Sequence, residues 1–144
     1  MSNFERNYQQ IQADYQVNEI DFFKTDWQNI LAPDLLGIDL IICADVIYNE
    51  EITRAFFKTL EYLITKTKED LTIIISLEKR LWTDANGEII TPSYQVFLEC
   101  LQEFKTSHSD AQIEEIELNF PHIFYQFYDR VNNLVIWQIK TAYA

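Results

Sequence analysis

Ile38-Asp39-Leu40-Ile41-Ile42-Cys43-Ala44-Asp45-Val46-Ile47-Tyr48-Asn49-Glu50-Glu51 is the segment from which the fold follows. An apolar, β-branched run, broken only by Asp39, stops at an acid. Such a run, bounded by turn signals, reads as a strand buried on both faces. Asn49 is a fitting N-cap, and Glu50 and Glu51 fall where a helix dipole favours acids. Ile52, Ala55, Phe56, Leu60, Leu63 and Ile64 then make a helical stripe to about Lys66, with Lys66 and Lys68 at its carboxyl end. In open α/β sheets, ligands lie just beyond the carboxyl ends of the strands. Asp45 and Tyr48 occupy that position.

The pattern repeats downstream. Leu71 to Leu77 is a second buried strand, and alternation of strand with helix predicts a parallel sheet. Glu78, Lys79 and Arg80 follow at its carboxyl end. Residues 83–92 read as a loop with an Asn-Gly turn, after which Ser93 can cap a helix carrying Tyr94, Phe97, Leu98, Leu101 and Phe104. Residues 106–111 are a linker. Ile113, Ile116, Leu118 and Phe120 belong to an acidic strand, and 131–139 to a last strand. The short aromatic connection between them predicts an antiparallel pair. Upstream, Phe4, Tyr8 and Ile11 have helical spacing, residues 17–23 alternate as a short strand, and the stretch around Pro33 reads as loop or a short helical turn.

Ala44-Asp45-Val46-Ile47-Tyr48 before an acidic helix start resembles the Asp-x-x-Tyr motif of the lysine-methyltransferase branch of the seven-strand S-adenosylmethionine enzymes. Ser76-Leu77-Glu78-Lys79-Arg80, Phe120-Pro121 and Trp137 extend the resemblance from about Phe4 to the carboxyl terminus. It implies an α/β fold: the C-terminal part of a Rossmann-like seven-strand sheet, mainly parallel with one antiparallel strand. The matching portion is the second half of the family domain. The implied first two strands, the acidic glycine-rich cofactor loop and the ribose-binding acid are absent, so the expectation is a chain that starts after them. The family order then leaves the edge of 38–44 without its neighbour, and such an edge invites another strand or a second copy.

Composition sets bounds on function. A chain of 144 residues with 48% apolar and 15% aromatic residues is large and apolar enough for one cored domain, 1–144. It has two glycines, Gly37 and Gly87, where a nucleotide site needs backbone to approach phosphate or ribose. A net charge of −12 argues against nonspecific nucleic-acid or anionic-membrane binding and suits a basic protein substrate, although solubility alone also accounts for it. Cys43 and Cys100 read as reduced, buried thiols, and with only His108 and His122 no metal spacing exists. No apolar run approaches the roughly 18 residues of a membrane span. The expected compartment is intracellular, cytoplasm or nucleus.

For Asp45 and Tyr48 the resemblance implies a catalytic role where a lysine amine meets the methyl donor. A carboxylate orients an ammonium and helps it lose a proton, and an aromatic face stabilises positive charge. The plainer reading is a strand-end turn acid beside a packing tyrosine. Asp21 and Phe22, with Ala44, are the implied cofactor-binding residues: Asp21 accepts from the adenine amine and Phe22 covers the ring, where the family more often has tryptophan. A solvated strand-end acid is the alternative for Asp21. The Glu78–Arg80 run reads as a solvated loop or a substrate rim, His122 as a packed ring, and 120–128 as a hydrophobic lid. Two functions stay open. One is the C-terminal portion of an S-adenosylmethionine-dependent protein-lysine N-methyltransferase, either an incomplete gene product or a chain that pairs with a separate N-terminal complementing segment. The other is a non-catalytic acidic interaction module derived from that fold.

Overall fold

A computed structural model describes residues 19–24, 37–67, 70–119, 123–125, 128–129 and 132–142. Its elements are β1 (Leu40–Ala44), α1 (Glu50–Lys66), β2 (Leu71–Glu78), β3 (Trp82–Thr83), β4 (Ile89–Ile90), α2 (Pro92–Ser107), β5 (Gln112–Ile116), β6 (Ile123–Tyr125), β7 (Tyr128–Asp129) and β8 (Leu134–Thr141). The central sheet has the order β1-β2-β8-β5. β1 runs parallel to β2, and β8 is antiparallel to both β2 and β5. β1, β2 and β5 therefore share one direction and β8 opposes them, as the seven-strand resemblance implies.

The sheet is cored on one face. Along β2 every second side chain is buried, with Leu71, Ile73, Ile75 and Leu77 at 2% exposure or less. Trp137 and Ile139 of β8 lie opposite Ile75 and Ile73 in register and so share that face. α1 covers it with Phe56, Phe57, Leu60 and Leu63, and α2 with Phe97, Cys100, Leu101 and Phe104. Phe97 is the joint, its ring 5.7 Å from Phe57, 6.0 Å from Tyr94 and 6.0 Å from Trp137. Burial of each such side chain stabilises by about 1.5–3 kcal/mol. Outside the core, Arg54 of α1 reaches Glu50 at 2.9 Å, Glu99 at 3.2 Å and Glu103 at 3.6 Å, tying α1 to α2.

α1 begins where the sequence predicts, with the Asn49 side chain accepting from the Ile52 N–H at 2.9 Å. α2 does not. Its N-cap is Thr91, because Pro92 has the φ of a first helical residue and needs no N–H partner there. Ser93 thus lies inside the helix, and its hydroxyl serves elsewhere. Residues 83–92 are more ordered than a loop: Trp82 pairs with Ile90 and Thr83 with Ile89 across the Asn86-Gly87 turn, Gly87 having φ +83°. The acidic strand ends at Ile116, and the last strand starts at Leu134.

Two expectations are corrected. β1 is not buried on both faces: Cys43 is buried, but Leu40 is 48% and Ile42 70% exposed. Among the described residues β1 pairs only with β2, and no layer covers its second face. Residues 19–24 hold no strand. The Asp21 carboxylate accepts from the Phe23 N–H at 3.0 Å, the Lys24 N–H reaches the Asp21 carbonyl at 3.1 Å, and the chain turns there. Val17 and Asn18, the 1–13 helix, the Pro33 loop and His122 lie outside the described residues.

Candidate functional site

The carboxyl ends of β1 and β2 meet side by side, Ala44 being opposite Ser76 in register. Asp45 still donates its N–H to the Ser76 carbonyl at 2.9 Å, so it closes the ladder. It then turns the chain with φ +52°, the one positive φ at a non-glycine among the described residues. Aspartate is among the side chains that tolerate this left-handed region. The reversal brings Tyr48 back over the strand end, its hydroxyl donating to Asp45 Oδ2 at 3.3 Å. The Tyr48 carbonyl is held from α2 by the Ser93 hydroxyl at 2.8 Å.

Arg80 completes the cluster. Its Nη2 lies 3.1 Å from Oδ1 and 3.2 Å from Oδ2 of Asp45, and its guanidinium carbon sits 4.6 Å above the centre of the Tyr48 ring. A cation is thus held between a carboxylate and an aromatic face, the pair of partners that suits a positive group. Asp45, Tyr48 and Arg80 all remain open to solvent, with the Asp45 side chain 55% and Arg80 36% exposed. Next to Arg80, Lys79 is fixed by its N–H to the Asn133 carbonyl at 2.9 Å and lays its ammonium 4.5 Å from the Tyr94 ring.

Sequence reasoning places Asp45 and Tyr48 together at a strand end and sets Glu78–Arg80 on the same edge, as a solvated loop or a substrate rim. The parallel register brings Arg80 to that edge as expected; its contact with both Asp45 and Tyr48 is what the residues alone do not announce. The role of Ser93 was hidden behind its aptitude as a cap.

Asp21, Phe22 and Ala44, the implied cofactor residues, are found in a turn, against the core and at a strand end. The Asp21 carboxylate is engaged by the Phe23 N–H and stands 3.8 Å from the Lys24 ammonium. The Phe22 ring packs edge-on to Phe56 at 5.5 Å, against the core. Ala44 is exposed at the end of β1. Neither glycine makes a close approach, for a Cβ at Gly37 or Gly87 meets nothing within 4 Å. These residues do not by themselves fit S-adenosylmethionine, since no glycine backbone is placed to cradle it. The thiols take no part: burial pushes Cys43 up to about 11 and raises Cys100 as well, so both stay protonated near neutrality. Among the described residues no cluster of His, Cys, Asp or Glu could hold a metal ion, and no helix is long and apolar enough to cross a membrane.

The sequence profile of the lysine methyltransferase family matches residues 2–104. The chain belongs to the lysine methyltransferase family. That match includes β1, α1, β2 and the whole Asp45–Tyr48–Arg80 cluster. Two relatives agree with it. Methyltransferase-like protein 22 of Homo sapiens is 29% identical over 138 residues, covering 85% of this chain and 34% of the relative. Methyltransferase-like protein 22 of Mus musculus is 29% identical over 104 residues, covering 69% of this chain and 26% of the relative. The chain therefore spans about a third of the human relative's length. Within this lysine methyltransferase family member, the mixed sheet is part of a methyltransferase fold.

Proposed function

We propose that this chain supplies the acceptor side of a protein-lysine N-methyltransferase site, with S-adenosylmethionine as the methyl donor. The observation that carries the reading is the cation held between Asp45 and Tyr48 at the carboxyl edge of β1 and β2. Asp45 orients the incoming lysine ammonium and assists loss of its proton, which frees the nitrogen lone pair. The Tyr48 face stabilises the positive charge the nitrogen carries again once methylated. A net charge of −12 favours approach of a basic protein. The edge of β1 that is unpaired among the described residues is the place where a complementing strand adds, and the face carrying Leu40 and Ile42 is the one a further layer of that segment covers.

The reading is tested by incubating the chain with isotopically labelled S-adenosylmethionine and a lysine-rich basic protein. The chain is used alone and with a separately made polypeptide carrying the glycine-containing half of a relative. Mass spectrometry then locates the label. Methyl groups on lysine side-chain nitrogens, appearing when the two polypeptides are combined, are the expected result. A combined form that binds the cofactor yet labels no lysine contradicts the enzyme and favours an interaction module.

A further inference from the structure

Arg80 occupies its place in an unusual manner. Arginine commonly meets a carboxylate through two nitrogens in a fork. Here one nitrogen, Nη2, faces both oxygens of Asp45, at 3.1 and 3.2 Å. That is the way a single ammonium nitrogen would sit. The same cation lies over the Tyr48 ring at 4.6 Å, so Arg80 uses both partners assigned to the acceptor lysine. It stands on the short connection between β2 and β3, two residues beyond Glu78, and its side chain is 36% exposed. Rotation of that side chain into solvent clears the site without moving the strands. The Lys79 ammonium, by contrast, lies over a different ring, that of Tyr94, at 4.5 Å.

We propose that Arg80 is a built-in occupant of the acceptor-ammonium subsite, which a substrate lysine must displace to reach Asp45 and Tyr48. The proposal rests on the acceptor-side reading given above. An exposed ion pair and an exposed cation–π contact are each weak, so displacement needs only modest binding from the rest of the substrate. Isolated amines are screened out because they bring nothing else, while a lysine within a basic, well-docked polypeptide succeeds. Specificity for protein lysine over free amine then follows from competition at one carboxylate.

The test uses n-butylammonium, a lysine side chain without its backbone, titrated into the full chain and followed by NMR at the Asp45 and Tyr48 signals. In Arg80→Ala and in Arg80→Gln the probe is expected to bind roughly five- to tenfold tighter than in the native chain. Lys79→Ala removes an adjacent charge that occupies nothing and is expected to change affinity less than about twofold. Equal or weaker binding in both Arg80 variants, with the probe still mapping to Tyr48, refutes the occupant and leaves the acceptor-side reading standing. A gain in Lys79→Ala as large as that in Arg80→Ala also refutes it, since general charge would then be the cause. No response at Asp45 and Tyr48 in any of the chains overturns the acceptor-side reading and the occupant with it.

Discussion

Replacing Asp45 with alanine is expected to slow lysine methylation by about two to four orders of magnitude, the usual loss when a positioned acid–base group is removed. Its carboxylate is the only acid bonded to both Tyr48 and Arg80 among the described contacts, so no neighbour substitutes for it. Alanine carries a second effect that must be separated. Asp45 has φ +52°, and a residue without a short polar side chain is strained there by about 1–2 kcal/mol. Asp45→Asn keeps the shape and tolerates the left-handed backbone while losing the negative charge, so it isolates the chemistry. Both variants are expected to slow transfer while leaving cofactor affinity within about threefold, because the proposed site has the carboxylate on the acceptor side. Single-turnover rates in the combined assay measure this. A rate within a few-fold of native for Asp45→Asn shows that the acid serves only the turn.

The largest stability effect is expected at Phe97. Its side chain is fully buried and touches Phe57 of α1, Tyr94 of its own helix and Trp137 of β8. Phe97→Ala removes the ring that joins both helices to the sheet and should cost about 3–5 kcal/mol. Against a typical domain stability of about 5–15 kcal/mol, that is a large fraction. Leu98→Ala, one residue along on the exposed side of α2, should cost less than about 1 kcal/mol. Urea unfolding of the two variants makes the comparison. Similar midpoints would mean that α2 is not docked as described. Loosening α2 also reaches the site, since Ser93 holds the Tyr48 carbonyl and Tyr94 receives Lys79.

What the sequence discloses depends on the range of the physics involved. The apolar run before Asp45, the Asn49 cap and the stripe of α1 are local, and each is legible in the residues that form it. The direction of β8 is legible through the resemblance and the short connection before it. Exposure of Ile42 is not local, since the same β-branched run looks identical whether one face or two are covered. The turn at Asp21 defeats a strand reading because the carboxylate captures its own backbone, a competition that alternation alone does not register. Pro92 displaced the expected cap at Ser93 and freed that hydroxyl for Tyr48. For Arg80 the shared edge is legible from the alternation of strand and helix, but its bond to Asp45, 35 positions away in sequence, is not.

In the proposed division of labour this chain holds the acceptor side of the site and a complementing segment holds the cofactor side. Calorimetric titration of S-adenosylmethionine into the chain alone tests that division most directly. Asp21 is engaged with its own turn, Phe22 is packed against Phe56, and Gly37 and Gly87 are the only glycines in the sequence. The predicted result is no saturable binding tighter than about 1 mM, an affinity of roughly 4 kcal/mol. A dissociation constant in the low micromolar range for the chain by itself would contradict it.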